Sequence, residues 1–367
     1  FVLNAQTYTW TQKANFSGGV RYGGFCFSIG SKGYTGSGLT STAITYSNDF
    51  WEYDPSTDIW TQKANFGGAV RHGASNFAIG GKGYVCNGWS SGVQLNDLWE
   101  YNPSTNTWST KSPFPGSARY TCADFVINGK AYVGMGYAPL HNDFYCYDPS
   151  TDTWTSIAPI PGPARQSAKA FSINNFGYVI GGASFSQLVK TVYKYDPISN
   201  TWQQLSNYPG QGSYALSTFV INNTAYAGMG SSSGAVYGDF YRYNDLTDTW
   251  TSVASFGGGT RAAAMSIEIN GKGYVGLGAK SFQSNYQLDW WEFSTCTADP
   301  ILINGDAIAC HPSQNNIYTV TPSTPGVTYT WSFPSGATIT SGQGSSSVTV
   351  NFANNATSGT INVVATG

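Results

Sequence analysis

Acid–base and nucleophilic chemistry needs carboxylates, imidazoles or thiols that converge on one point. This chain of 367 residues offers few of them. It has four glutamates: Glu52, Glu100, Glu268 and Glu292. Most aspartates, and three of these glutamates, fall at positions that recur along the chain. Asp124, Glu268, His72 and His141 do not. Were these four to line one pocket, they would supply an acid, a base and proton relays. Six cysteines form no C-x-x-C pair, and the histidines are scattered, so no metal site is expected. The expectation is therefore no catalytic set, no metal and no cofactor.

A second chemical pattern is regular. Arg21, Arg71, Arg119, Arg165 and Arg261 occupy one recurring position, and Asp49, Asp97, Asp143, Asp239 and Asp289 occupy another. Each aspartate position precedes the next arginine position by 22 residues, and the unit with Thr191 for Asp precedes the unit with Ser213 for Arg. This predicts a ring of bidentate ion pairs, each Asp reaching the next unit's Arg and Asp289 closing on Arg21. Arginines pointing at solvent would instead make an anionic-ligand site.

Composition sets the frame for these residues. Charged residues make up 10%, aromatics 16%, and glycine numbers 44. So few charges and so much glycine argue for short strands and tight turns rather than helices. Net charge is -2 with no basic run, which gives no footprint for nucleic acid. No apolar stretch is long enough to span a membrane as a helix.

The strands come in repeats. Trp10, Trp60, Trp108, Trp154, Trp202 and Trp250 are spaced by 46–50 residues. Each interval holds a tyrosine (Tyr34, Tyr84, Tyr132, Tyr178, Tyr226, Tyr274) with a glycine four residues on, then an aromatic strand such as Phe50-Trp51-Glu52-Tyr53. Asn128-Gly129 and Asn270-Gly271 mark two-residue hairpins. Each unit reads as four strands, a to d, and one such sheet buries too little alone. The expected fold is all-β: a six-bladed propeller over 7–293. The last unit lacks its own Trp, so Tyr8–Gln12 is expected to supply the outer strand of blade six. The repeated Tyr and Trp are expected to pack blade against blade.

The glycine-rich Ile180-Gly181-Gly182, the turns Asp148-Pro149 and Asp196-Pro197, and the spaced Trp resemble the kelch family. The resemblance implies the propeller fold and leaves function open among scaffolds, adhesins and a few enzymes. The family's copper oxidases use a Tyr cross-linked to Cys with two His. Tyr145-Cys146-Tyr147 reads as ordinary strand, and the acid/base residues of sialic acid epimerases have no evident match. The enzyme alternative is a carbohydrate-active one, an epimerase or oxidase.

The b–c loops vary in length and sequence, and variation on a common scaffold marks a binding face. They carry Trp89, Tyr46, Tyr137, Phe185, Tyr237, Phe282 and Tyr286. Exposed rings suit protein contacts or stacking on sugars, with Trp89 the leading hot spot. The bland alternative is that they fold onto the blade edge. Tyr22, His72, Tyr120 and Tyr214, next to the arginine position, are expected at the mouth of the central channel on the same face.

Beyond a linker at 294–298, residues 299–367 alternate in short strands. The stretch Tyr329-Thr330-Trp331-Ser332-Phe333, with Pro334-Ser335-Gly336-Ala337 and Ser341-Gly342-Gln343-Gly344 after it, resembles the PKD-like, Ig-like sandwiches of secreted Bacteroidota proteins, with Trp331 in the core. Cys296 and Cys310 lie close together in this separate segment, which suits a disulfide. The resemblance implies instead that the sandwich is incomplete here, that Cys310 pairs with a cysteine beyond residue 367, and that a type IX secretion signal lies further along the chain. Residues 1–6 read equally as the tail of a signal peptide or as the start of a strand. Cys26, Cys86, Cys122 and Cys146 sit in apolar strand patterns and read as buried free thiols. Together these readings place the chain in a bacterial secreted or cell-surface protein that binds a protein or glycan. A third role is as passive cargo or a component of a larger surface assembly.

Overall fold

The computed structural model describes residues 7–41, 43, 45–185, 187–212, 214–281, 283–296, 302–305, 312–321 and 327–366. The 1–6 segment, Phe282, Ser213, residues 297–298 and Cys310 lie outside the described residues, as does the side chain of Cys296. Contacts divide the chain into a unit Tyr8–Ser294 and a second unit from Thr295 onward.

Six four-stranded antiparallel sheets make up the first unit. The first repeat shows the plan: strand a Phe25–Ile29, b Lys32–Gly36, c Phe50–Asp54 and d Ile59–Gln62, hydrogen-bonded in that order. The b strands are buried on both faces, as at residues 33–36, so each sheet packs against a neighbour on either side. Six such sheets bury one another when the a strands pack in cyclic order, the sixth (Met265–Ile269) against both the fifth (Ser217–Ile221) and the first. The outer strand of the sixth sheet is Thr7–Lys13, paired with Trp290–Cys296. That last strand runs through residues 294–296, so the first part of the linker expected at 294–298 is strand instead.

The repeated rings carry the joints. Tyr34 packs on Tyr101, Tyr84 on Tyr147, Tyr132 on Tyr195, Tyr178 on Tyr243, Tyr226 on Phe293 and Tyr274 on Tyr53, with centroids 5.0–5.9 Å apart. Such pairs contribute about 0.5–1.5 kcal/mol each beyond their area. The repeat tryptophans reach back one blade through the indole N–H: Trp60 donates to Ala14 O, Trp108 to Ala64 O and Trp154 to Ser112 O. The c–d turn residues Asp58, Asn106, Asp152 and Asn200 hold left-handed backbone, which Asn and Asp tolerate. Each accepts the hydroxyl of its own c-strand tyrosine and a backbone N–H of the preceding blade.

The expected Asp–Arg ring between blades is not what forms. Arg21 pairs with Asp49, Arg71 with Asp97, Arg119 with Asp143 and Arg261 with Asp289, each within one blade. The partner lies 24–28 residues after the arginine in the same repeat, not 22 residues before it. The backbone at each arginine lies against the segment before strand c of the preceding blade, Arg119 N donating to Leu95 O and Arg261 N to Tyr237 O, while the side chains reach Asp143 and Asp289 of their own blades. Blade-to-blade contact is made by the rings and turns above and by backbone bonds such as Gly38 N to Arg71 O and Gly88 N to Arg119 O. Arg165 meets Thr191 Oγ1 at 2.7 Å instead, and Asp239 accepts the backbone N–H of Gln211 at 2.9 Å.

In the second unit, Leu302–Asn304, Ser313–Thr321, Ser347–Phe352 and Ala337–Ser341 form one sheet in that order, and Thr328–Ser332 pairs with Asn362–Thr366. Tyr318, Val320, Tyr329, Trp331, Val348 and Val350 make its core, and the Trp331 indole donates to Ser345 O at 2.9 Å.

Candidate functional site: the central channel

The first residue of interest on each blade follows the arginine position. There the chain turns into strand a, and the backbone binds its neighbour around the axis. Gly73 N donates to Gly23 O, Thr121 N to Gly73 O, Ser167 N to Thr121 O, Ala215 N to Ser167 O and Ala263 N to Ala215 O. All six hold positive φ, so Thr121, Ser167, Ala215 and Ala263 sit in a conformation that side chains disfavour. A rigid collar results, and the residues just before it are aimed at the axis.

Below the collar, the second residue of each a strand faces inward: Cys26, Asn76, Asp124, Ala170, Thr218 and Ser266. Several bridge neighbouring blades. Asn76 Oδ1 accepts from Cys26 N at 3.0 Å, Asp124 Oδ2 from Asn76 N at 3.4 Å, and Ser266 Oγ from Thr218 N at 3.2 Å. These side chains thus tie the a strands together as well as lining the channel.

Collar and wall enclose a cavity of about 570 Å³. Tyr22, His72, Tyr120 and Tyr214, the expected mouth residues, all line it, with Gln166 and Gln283. Deeper in stand Asp124, Lys169, Asn76, Thr218, Ser266, Cys26 and Cys122. Burial in the channel pushes the Asp124 carboxyl up to about 7, against the pull of Lys169 and of the Asn76 N–H. Burial pushes Cys26 up to about 11 and Cys122 up to about 12, so both are neutral thiols near pH 7. It pushes His72 down to about 4 and Tyr22 up to about 12. The lining therefore offers the Lys169 side chain, a carboxyl whose ionisation burial opposes, neutral thiols and ring faces.

The b–c loop rings lie elsewhere. Among the described residues, none of Tyr46, Trp89, Tyr137, Phe185, Tyr237 and Tyr286 lines the cavity. Three fold onto the mouth residue of the next blade: Tyr286 stacks on Tyr22 at 5.1 Å, Tyr46 on His72 at 5.8 Å, and Trp89 packs on Tyr120 at 5.2 Å. Tyr46 Oη also meets His72 Nδ1 at 3.2 Å. Tyr137 packs on both Tyr120 and Phe185, and Tyr237 is half-buried. Phe185 alone of the set is broadly exposed, at 80%. The rim rings thus brace the mouth from behind.

Of the four off-pattern residues, Asp124 and His72 share the cavity. Glu268 does not: its Oε1 accepts the Gly271 N–H in the a–b turn. His141 bonds Ser117 Oγ through Nε2 at 3.1 Å and does not line the cavity either. Sequence reasoning missed Lys169. The available signal was its position, where the other blades carry the buried Phe25, Ser75, Ala123, Ser217 and Met265. A lysine there extends its amine toward the channel water. No group of three or more His, Cys, Asp or Glu among the described residues is arranged to hold a metal. Among the described residues, no helix is long and apolar enough to cross a membrane.

Four of the five rim arginines are taken up by the aspartate of their own blade and offer no anion-binding surface. All five are fully buried, 0–1% exposed, with guanidinium groups over Phe16, Phe66, Phe114, Tyr193 and Phe256.

Residues 1–164 match the model of the KLHDC2/KLHL20/DRC7 Kelch-repeats domain, residues 178–207 the Kelch motif and residues 296–367 the PKD-like domain. A solved structure described as "Structure of YjhT" superposes with a TM-score of 0.65 at 18% identity, covering 77% of this chain and 99% of that one. At that identity the likeness speaks for the fold alone. No curated protein matches the chain.

Proposed function

We propose, for a chain that is a kelch-repeat propeller followed by a PKD-like domain, a non-catalytic binding role in a secreted or cell-surface protein. The ligand, a protein segment or glycan, enters at the channel mouth on the b–c loop face. The observation that supports this is the cavity of about 570 Å³, ringed by Tyr22, His72, Tyr120 and Tyr214 above Asp124 and Lys169. Ring faces with a few convergent polar groups are what small-ligand and side-chain pockets use. The rings are braced from behind and held by a backbone collar, so little ordering entropy opposes binding.

A second reading, a carbohydrate-active enzyme, draws support from one feature. Asp124, pushed toward neutrality, shares a cavity with His72. Against it, His72 is engaged by Tyr46, and the Asp124 carboxyl already bridges two blades. Passive service as cargo in a surface assembly is the third reading.

A glycan array probed with wild type, Lys169→Met and Trp89→Ala tests the proposal. Binding lost in Lys169→Met and kept in Trp89→Ala supports the channel mouth. Loss in Trp89→Ala alone moves the site to the loop rim. Conversion of an arrayed sugar that stops in Asp124→Asn replaces the binding reading with the enzymatic one.

A further inference from the structure

We propose that blade four binds a small monovalent anion against Arg165, at the place where the other arginine-bearing blades hold an aspartate carboxylate. The protein supplies its own controls. Arg71 donates through Nη1 and Nη2 to both oxygens of Asp97, at 2.6 and 2.7 Å, and also to Ala69 O and Asn87 O. Arg119 and Arg261 grip Asp143 and Asp289 in the same two-pronged way. Arg165 is equally buried, at 0% exposure, yet Thr191 stands in the place of the acid. Its Nη1 donates to Thr191 Oγ1, while Nη2 has no partner among the described residues; Nε is unpartnered here as it is in Arg21 and Arg261. In blades two, three and six, Nη2 is a carboxylate donor.

A buried guanidinium without counter-charge is costly. Burial pushes Arg165 down to about 10, and no carboxylate offsets it. The surroundings fit an anion. A Cβ built on Gly18 or Gly258 would lie 2.7 or 2.9 Å from a carboxylate oxygen of Asp49 or Asp289. Gly162, at the same distance before Arg165, holds positive φ unlike those two, and the nearest atom to such a Cβ is the Tyr193 hydroxyl at 3.2 Å. Tyr193 occupies the c-strand position of Trp51, Trp99 and Trp291, whose indole N–H groups donate to the aspartates at 2.8–2.9 Å. Its hydroxyl makes only a long contact of 3.4 Å with Gln204 Oε1, so it is a second donor for the same place. The Nη2 N–H and the Tyr193 O–H, at the position where a carboxylate is held in the other blades, suit chloride or formate.

The test is the thermal midpoint of the full chain in sodium chloride against sodium gluconate at equal ionic strength, for wild type, Thr191→Asp and Tyr193→Phe. Wild type is expected to gain on the order of 2 °C in chloride. Thr191→Asp should melt higher than wild type in gluconate and lose the chloride response, because it supplies the carboxylate itself. Tyr193→Phe should keep a weakened response. Equal chloride responses in wild type and Thr191→Asp would overturn the proposal. So would a crystal grown in bromide that shows no anomalous peak beside Arg165, a measurement that stands even if a variant fails to fold.

Discussion

Arg71 and Asp97 meet within one blade through two parallel hydrogen bonds of 2.6 and 2.7 Å, with the arginine fully buried and the aspartate partly open to water. The pair clamps the segment entering strand a to the segment entering strand c. It also fixes the guanidinium over Phe66, 4.9 Å from the ring centroid.

Asp97→Asn should therefore destabilise the propeller by about 2–3 kcal/mol, because Arg71 would keep its charge without a counter-charge; the figure is discounted for the water that already screens Asp97. Urea unfolding measures it. Asp97 and Asp289 are both held below the ordinary carboxylate range by their arginines and indole N–H groups, against the opposing effect of burial. Their stabilisation is complete above the unfolded value near 4 and is lost as pH falls through the folded value. Asp97→Asn should flatten that acid limb.

Asp124 behaves oppositely. Burial raises its carboxyl to about 7. A proton bound more tightly by the folded chain favours folding at low pH, and that advantage disappears as pH rises from about 4 through about 7. The groups that oppose the rise are the Lys169 ammonium and the Asn76 N–H. Asp124→Asn, which can still accept from Asn76 N, should raise the thermal midpoint at pH 8 and leave it nearly unchanged at pH 4. Equal gains at both pH values would refute the assignment.

The Thr7–Lys13 strand should be essential to the sixth sheet. Trp10 packs on Phe219, Phe240, Phe256 and Phe293, and its indole donates to Ala254 O at 3.2 Å. Trp10→Ala should cost about 2–3 kcal/mol, below the full value for a completely buried Trp. Hydrogen exchange should show protection lost first in Trp290–Cys296, the strand it pairs with. Loss spread evenly over all six sheets would mean that this strand does not act as a local joint.

Spacing made the repeat and its rings legible, because strand period and blade packing are properties of single positions repeated six times. Pairing choices were less legible. The aspartate lies 22 residues before one arginine and 24–28 after another, and the arginine backbone sits beside the preceding blade while its side chain reaches into its own, a choice that spacing does not reveal. The coincidence of Thr191 and Ser213 pointed to the wrong partner. Trp89 stood out as a lone loop tryptophan, yet its ring rests on Tyr120, since an apolar ring beside an apolar neighbour buries itself where it can. Lys169 was hidden by standing at a core position, where a charge becomes meaningful only once the neighbouring channel is known.

The most direct test of the channel reading is a calorimetric titration of wild type, Lys169→Met and Trp89→Ala with the first ligand identified for wild type. A loss of tenfold or more in affinity for Lys169→Met, with Trp89→Ala close to wild type, is the predicted result. Unchanged affinity in Lys169→Met would contradict it.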